Sequence, residues 1–296
     1  MRIDMSGARA FLAYLRGEMG EDQLLEHPAY RTVGRHVALL QGLELAPGDV
    51  ERGLRGEESP FYGLDKTRER LPEILEVMEF IETRGERWIR EAEAFLGRLL
   101  PSHSTEGIVV YPIIGYDAGI GLEGAACLNV GASLYLEDPG EFPFVMVHEV
   151  CHVLHGRVHG HPDLGDGRDL CDPRGLLLRM LQDEGFATYA ALKMREEQGH
   201  RTRASGPLVE DYQVVLDPGE AGEVAEKFRS TLERVSAGGL DRAEQLALIF
   251  GPGRLTYRAG ARLFRLMEEQ CGAGEVERAF HLEPREFWST WSHLLD

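Results

Sequence analysis

The sequence predicts an α+β protein that is predominantly helical. Segments with apolar residues at helical spacing occupy the beginning and the second half of the 296-residue chain. Between them lies one short region of β-branched or alternating residues, which is typical of strands. A chain of this length can form one large domain or two modest ones, with an ample core.

The N-terminal part of the chain is expected to consist of helices. Two shorter segments with helical patterns cover residues 7–17 and 30–42. A long amphipathic segment runs from residue 66 to residue 100 and ends before Pro101. We therefore predict an N-terminal helical region over residues 1–105.

The segment that follows changes character and predicts two strands. The runs "GIVVYPII" (107–114) and "ACLNVGASLYL" (126–136) are β-branched or alternating, and the glycine-rich "GYDAGIGLEG" separates them. We therefore expect a small sheet within residues 106–137. Three residues would share one face of the second strand and could line a cleft: Asn129, Gly131 and Ser133.

A further helix is predicted over residues 139–155. Asp138 can serve as its N-cap, with Pro139 at the first helical position and Glu141 in an arrangement that resembles a capping box. Gly156 supplies a natural stop just after the helix. Apolar residues on one side indicate that this helix runs buried through its domain.

Two histidines and a glutamate in this helix follow the pattern H-E-x-x-H. His148 and His152 lie four residues apart, so both imidazoles occupy one helix face, about one turn from each other. Glu149 comes three residues before the second histidine, so its carboxylate can reach the same space. In this pattern the histidines hold zinc and the glutamate acts as general base on a water at the metal. The alternative is a chance match in which the histidines are satisfied within the core.

Composition excludes several classes of protein. An apolar content of 43% and a charged content of 28% are those of an ordinary globular protein. The formal net charge of −18 argues against a nucleic-acid partner, because phosphate backbones would be repelled.

We find neither a secretory signal nor a run of apolar residues that could span a bilayer, so we expect a cytoplasmic protein without a membrane partner. The four cysteines form no C-x-x-C pair, which makes a disulfide framework improbable.

A third zinc ligand could be a histidine that follows the helix. The pattern H-E-x-x-H-x-x-G-x-x-H requires glycine at position 155 and histidine at position 158. The chain instead has His155 and Val158 at these positions. Gly156 and His159 each come one residue late, so the pattern fails unless the turn bulges. Together with His161, these histidines lie in or before a loop rich in aspartate, and most such loops are simply solvated.

The third ligand could instead be a glutamate on a later helix. Asp172 and Pro173 provide an N-cap and a first helical residue for a segment predicted to be helical over 173–198. Glu184 lies in the middle of this segment, where a buried carboxylate would need a cation. Small residues around it would let two helices approach closely: Gly185, Ala187, Ala190 and Ala191. Alternatively, Asp183 and Glu184 belong to a solvated face.

Two motifs give the chain a resemblance to a known family. The stretch "DEGFATYA" resembles the downstream glutamate helix of the gluzincin metallopeptidases, and "EGFA" is similar to the third-ligand motif of the zinc aminopeptidase family. This resemblance implies that Glu184 is the third zinc ligand. The segment "TYRAGARLFRLMEEQCG" is similar to the one in which that family places a tyrosine three residues before a glycine. It implies that Tyr257 donates a hydrogen bond to the tetrahedral intermediate. A group of uncharacterised bacterial zinc-dependent peptidases is similar more loosely.

The resemblance covers roughly residues 107 to 290 and implies a zincin-like catalytic domain. In this interpretation the domain spans residues 106–296, with the elements in order along the chain: the sheet at 106–137, the H-E-x-x-H helix at 139–155, the third-ligand helix at 173–198 and a C-terminal helical lobe at 206–296.

The chain also departs from the family. Thirty-one residues (153–183) separate His152 from Glu184, which is more than usual, so the loop at 156–171 would be an insertion. The large N-terminal β-domain and the amine-reading motif G-x-M-E-N of the aminopeptidases are both missing. Glu123 in "IGLEG" occupies the position of the glutamate in that motif, but a surface turn explains this segment better. Exopeptidase activity is therefore not implied.

The function that we predict is that of a peptidase with one zinc ion per chain and a peptide or protein as substrate. Glu149 would act as general base, and Tyr257 would stabilise the oxyanion. A sheet edge beside the metal could pair with the extended backbone of the substrate. Two alternatives remain open, namely an inactive zinc-binding interaction protein and a zinc hydrolase of non-peptide amides. Cleavage specificity and the oligomeric state are left open.

Overall fold

The computed structural model describes residues 1–162, 172–251 and 253–295. Within this part of the chain the protein is mostly helical and contains one small mixed sheet of four strands, which confirms the predicted class of a predominantly helical α+β protein. No helix in these ranges combines the length and the apolar character that crossing a bilayer requires.

The chain divides into two compact units. Unit 1 comprises Met1–Leu154 together with Arg201–Ser205, and unit 2 comprises His155–His200 together with Gly206–Asp296. One helix, Phe142–His159, begins in unit 1, and its residues from His155 onward are assigned to unit 2.

Seven helices begin in unit 1, and a 3-10 turn, Pro139–Glu141, precedes the last of them. The helices are α1 (Ser6–Leu15), α2 (Glu21–Leu25), α3 (Pro28–Gln41), α4 (Asp49–Leu54), α5 (Leu71–Leu99), α6 (Ser133–Glu137) and α7 (Phe142–His159). Helix α3 starts with proline at its first position and ends at Gly42, which has a φ of 66° and supplies the left-handed C-cap. The three helices predicted at the N-terminus correspond to α1, α3 and α5.

The sheet of unit 1 contains strands β1 (Arg2–Ile3), β2 (Val109–Ile113), β3 (Gly119–Leu122) and β4 (Ala125–Asn129). Their spatial order is β1-β2-β4-β3. Strand β2 is parallel to β1 and to β4, whereas β3 runs antiparallel to β4 and forms one edge of the sheet. A two-residue turn, Glu123 and Gly124, joins β3 to β4, and its φ angles of 48° and 94° are those of the hairpin turn that matches the strand twist.

Three predictions for this region were wrong in detail. The second predicted strand does not continue to residue 136 but ends at Asn129, whose side-chain oxygen accepts hydrogen bonds from the backbone N–H groups of Gly115 and Gly131. Helix α6 then begins at Ser133, so Asn129, Gly131 and Ser133 do not share a strand face. The glycine-rich segment that was expected to separate the strands contains β3 itself.

The described residues of unit 2 form helices. They are α8 (Pro173–Gln198), α9 (Pro207–Leu216), α10 (Pro218–Ala237), α11 (Arg242–Phe250), α12 (Leu255–Cys271), α13 (Ala273–His281) and α14 (Pro284–Trp291), followed by a 3-10 turn, Ser292–Leu295. Helix α8 has the predicted bounds. The Asp172 carboxylate caps its N-terminus by accepting a hydrogen bond of 2.9 Å from the backbone N–H of Gly175, and Gly199 ends it with a φ of 62°.

The core of unit 2 forms where α8 packs against α12. The two helices approach closely at Gly185 and Gly260, since a Cβ atom on Gly185 would lie 2.4 Å from the Gly260 Cα. The prediction that small residues on α8 allow a close helix contact is thus confirmed at Gly185. Next to this crossing, the ring of Phe186 packs against those of Phe264 and Phe280, at centroid distances of 5.3 and 4.6 Å.

Candidate metal centre

Helix α7 carries the H-E-x-x-H pattern, and residues 142–151 are buried on all sides. The carboxylate of Asp138 accepts a hydrogen bond of 3.0 Å from the backbone N–H of Gly140 and so caps the 3-10 turn that leads into the helix. Gly156 does not end the helix as predicted. The helix continues to His159, and Gly160 follows it with a φ of 69°.

The two histidines of the pattern converge on one point. Their Nε2 atoms lie 3.1 Å apart, and the ring centroids are 4.8 Å apart. Two nitrogen ligands at about 2.0–2.1 Å from a tetrahedral zinc ion would lie roughly 3.3 Å apart. His148 is buried, and His152 is the partly exposed member of the pair. The pair therefore already has the spacing that two ligands of one ion require.

Strand β3 packs directly against the turn of α7 that contains Glu149. A Cβ atom on Gly119 would lie 2.5 Å from Oε1 of Glu149. One on Gly121 would lie 2.1 Å from the backbone carbonyl oxygen of Glu149 and 2.9 Å from the Cβ of His152. A side chain at Gly121 would collide with backbone, and one at Gly119 would displace the Glu149 side chain, so the two glycines let the edge strand lie against the motif. The alternating glycines of "GIGL" are the sequence feature that indicates this close contact.

Unit 2 brings Glu184 and Tyr257 together. The Tyr257 hydroxyl donates a hydrogen bond of 2.9 Å to Oε1 of Glu184, which is itself buried. Glu184 precedes Gly185 on α8, and Tyr257 lies one turn before Gly260 on α12, so the close helix crossing described above places these two side chains side by side.

An arginine that the sequence analysis missed holds the ring of Tyr257. The guanidinium of Arg254 lies 3.6 Å from the centroid of this ring, and its Nε donates a hydrogen bond of 2.6 Å to the buried carboxylate of Asp211. Arg258 donates a second bond, of 2.7 Å, to the same carboxylate. Burial alone would lower the pKa of Arg254, but its electrostatic interactions with Tyr257 and with the Asp211 carboxylate raise it overall. Arg254 and Asp211 come together only through the fold, so the sequence offered no signal for them.

The histidines after the motif have structural contacts within unit 2. Nδ1 of the buried His155 lies 3.5 Å from the Asp183 carboxylate. Nε2 of His159 donates a hydrogen bond of 2.9 Å to the backbone carbonyl of Phe280. The ring of His161 lies against Gly156, where an added Cβ would be 3.0 Å from it. The predicted loop insertion at 156–171 falls partly, from residue 163 onward, outside the described residues.

Asp183 and Glu184 do not form a solvated face, which was the alternative to a ligand role for Glu184. The side chain of Asp183 is only 13% exposed, and Glu184 is buried. Each of His148 and His152 in unit 1, and Glu184 in unit 2, offers an atom that could ligate a metal ion. Two neutral imidazoles and one carboxylate are a donor set that suits zinc.

Comparison with known proteins identifies no relative of the chain. No family model matches the chain, and neither a curated protein nor a solved structure does. A functional interpretation therefore depends on the geometry of the residues described above.

Proposed function

We propose that the protein is a zinc-dependent peptidase of the gluzincin type, with a zincin-like catalytic domain. The observation that carries this proposal is the pair of Nε2 atoms of His148 and His152, 3.1 Å apart on one face of a buried helix, with the Glu149 carboxylate on the same turn. A core pair of histidines needs no glutamate beside it, whereas a hydrolytic zinc site needs a base.

The proposed ligands are the two histidines and the carboxylate of Glu184. The hydrogen bond from Tyr257 orients this carboxylate. Such a set of three leaves a position for water. Zinc bound there would lower the pKa of a water molecule towards 7 and polarise the carbonyl of the substrate.

Glu149 moves the proton in the proposed reaction. Its carboxylate takes a proton from the attacking water and then delivers it to the amine that leaves. The close packing of Gly119 on Oε1 restricts where this carboxylate can lie. A base held in one place is effective because proton transfer requires hydrogen-bond distance to the water.

Tyr257 has two roles in the proposal. In the structure its hydroxyl donates its single proton to Glu184, and during the reaction the hydroxyl would rotate and donate that proton to the oxyanion at the scissile carbonyl instead. Arg254 stacks on the phenol ring and is itself anchored by Asp211, so the ring has little freedom to swing away.

Strand β3 would bind the backbone of the substrate. It forms an edge of the described sheet, and the polar backbone groups along a sheet edge can pair with an extended peptide. Because Gly119 and Gly121 place this strand against the Glu149 turn, a peptide that extends the sheet would pass beside the proposed metal ligands.

Replacement of Glu149 by glutamine tests this function. The zinc-loaded Glu149→Gln protein should keep its metal, because the ligands remain, and should lose turnover of every peptide that the wild type cleaves in an unstructured peptide mixture analysed by mass spectrometry. Glu76→Gln is the matched control, since Glu76 lies exposed on α5, and it should retain full activity.

The same measurement separates the two alternatives. A zinc-loaded wild type that cleaves no peptide but retains a specific partner in pull-downs would favour the inactive interaction protein. Hydrolysis of simple N-acyl amides without any cleavage of peptides would favour the non-peptide amidase.

A further inference from the structure

An aromatic pair and a carboxylate meet at the loop that leads into β3. Tyr116 and Asp117 lie in this loop, between β2 and β3, and Tyr62 packs on Tyr116 with ring centroids 5.5 Å apart at an angle of 45°. Tyr62 is 49% exposed, which is unusual for a large ring, and Asp117 is exposed as well. All three residues belong to unit 1.

This cluster lies close to the proposed substrate path. Asp117 is two residues before Gly119, and consecutive Cα atoms are 3.8 Å apart, so their Cα atoms are separated by at most about 7.6 Å. Gly119 is the residue whose missing side chain accommodates the carboxylate of Glu149. A peptide paired with β3 would therefore present at least one side chain beside Asp117.

Tyr116 is held in a fixed and unusual conformation. Its φ of 72° lies in the left-handed region, which a residue with a Cβ rarely adopts. The Tyr116 hydroxyl is 2.9 Å from Nδ1 of His36, and the Nδ2 of Asn129 donates a hydrogen bond of 3.1 Å to the Tyr116 carbonyl. Backbone strain of this kind persists where the surroundings enforce it and is concentrated at ligand-binding sites.

The chemistry of the cluster is that of a cation site. Aromatic faces attract a lysine ammonium or an arginine guanidinium, and a carboxylate beside them supplies an opposite charge. Asp117 accepts a hydrogen bond of 2.8 Å from the backbone N–H of Ala118 and interacts with the Tyr62 hydroxyl, which orients it next to the exposed ring. The net charge of −18 would also draw basic peptides towards the protein.

We infer that the exposed ring of Tyr62 and the carboxylate of Asp117, supported by the buried ring of Tyr116, form a subsite for a basic side chain, lysine or arginine, of a peptide bound along β3. This inference rests on the proposed function, because it takes β3 as the strand that binds the substrate. It makes peptides with basic residues near the scissile bond the preferred class of substrate.

Binding to the Glu149→Gln protein tests the subsite without requiring turnover. The probe is a short fluorescent peptide, acetylated and amidated to remove terminal charges, with lysine or norleucine moved through successive positions. At one position we expect the lysine peptide to bind about tenfold more tightly than its norleucine counterpart. Adding Asp117→Asn should reduce that preference to about twofold or less, and Tyr62→Leu should reduce it too. Adding the control Glu76→Gln should leave it unchanged.

The outcomes of this experiment separate the two proposals. Equal affinity for the lysine and norleucine peptides at every position would overturn the subsite, even if the wild type cleaves peptides. So would a lysine preference that survives Asp117→Asn in a protein with an unchanged circular dichroism spectrum. A preference that depends on Asp117, in a protein whose wild type shows no turnover, would support the subsite and overturn the peptidase.

Discussion

Gly260 of α12 lies against Gly185 of α8, and a Cβ atom on Gly260 would fall 2.2 Å from the carbonyl oxygen of Leu181. This contact explains why each of the motifs E-G and Y-x-x-G contains a glycine. The two glycines permit the close helix crossing. Across this crossing the Tyr257 hydroxyl donates its hydrogen bond of 2.9 Å to Oε1 of Glu184.

Replacement of Gly260 by alanine should therefore destabilise unit 2 and separate this pair. The added methyl group collides with backbone atoms, which cannot rotate away, so we expect the free energy of unfolding to fall by about 1–3 kcal/mol. Denaturant unfolding measures this change. Gly222→Ala on α10 is the control, because an added Cβ there meets nothing within 4 Å, and it should be neutral or stabilising by up to about 1 kcal/mol. Equal stability of the two variants would contradict the close crossing.

Much of the site follows from local sequence. Capping residues and apolar patterning determine the first and last residues of α8. Asp172, Pro173 and Gly199 set these ends through local backbone geometry. The spacing of His148 and His152 fixes their common face once the segment is a helix, and the structure places their Nε2 atoms 3.1 Å apart. Such features depend on neighbours within one or two turns, which a sequence displays directly.

The remaining features depend on contacts between distant segments. The sequence of β3 is typical of a loop, because two of its four residues are glycines. Glycine disfavours strands unless another element packs closely on it. Asn129 ends β4 early because its side chain bonds to backbone groups in two different loops. Arg254 reaches Asp211 over 43 residues of chain. No local pattern carries this information.

Replacement of Gly119 by alanine should disturb Glu149 while leaving the fold intact. The new Cβ would lie 2.5 Å from Oε1 and 2.8 Å from Cγ of Glu149, so this side chain must move, while no backbone atom is among these close contacts. A displacement of about 1 Å can reduce turnover about a hundredfold. We expect that loss in kcat with zinc retained, measured on a peptide that the wild type cleaves. Gly97→Ala, exposed on α5 with open space around it, serves as control. Unchanged turnover in the Gly119 variant would show that Glu149 is not positioned by β3.

Replacement of Glu184 by alanine should weaken zinc binding by at least about a hundredfold, because a three-ligand site loses its anionic donor. His155→Ala and His159→Ala should leave the zinc affinity nearly unchanged, since these histidines contact Asp183 and the Phe280 carbonyl. Competition with a chromophoric chelator measures all three variants. Loss of zinc in the His159 variant, with zinc retained in the Glu184 variant, would assign the site to a different zincin class.

Replacement of Tyr257 by phenylalanine should separate its two proposed roles. Loss of the hydrogen bond to Glu184 should weaken zinc about tenfold. Loss of an oxyanion donor should reduce kcat about 10²- to 10³-fold even when zinc is saturating. Tyr189→Phe, which also removes a buried phenol oxygen in unit 2, should change neither quantity. Full recovery of kcat by excess zinc would restrict Tyr257 to orienting Glu184.

The zinc content of the purified protein tests the central proposal most directly. Protein prepared without chelators and then supplemented with zinc and desalted should contain about one zinc ion per chain by elemental analysis. A variant with both His148→Ala and His152→Ala should contain none and should remain folded by circular dichroism. A wild type that binds no zinc, or a double variant that binds as much as the wild type, would contradict the proposed metal site and would leave the two histidines as a hydrogen-bonded pair in the core.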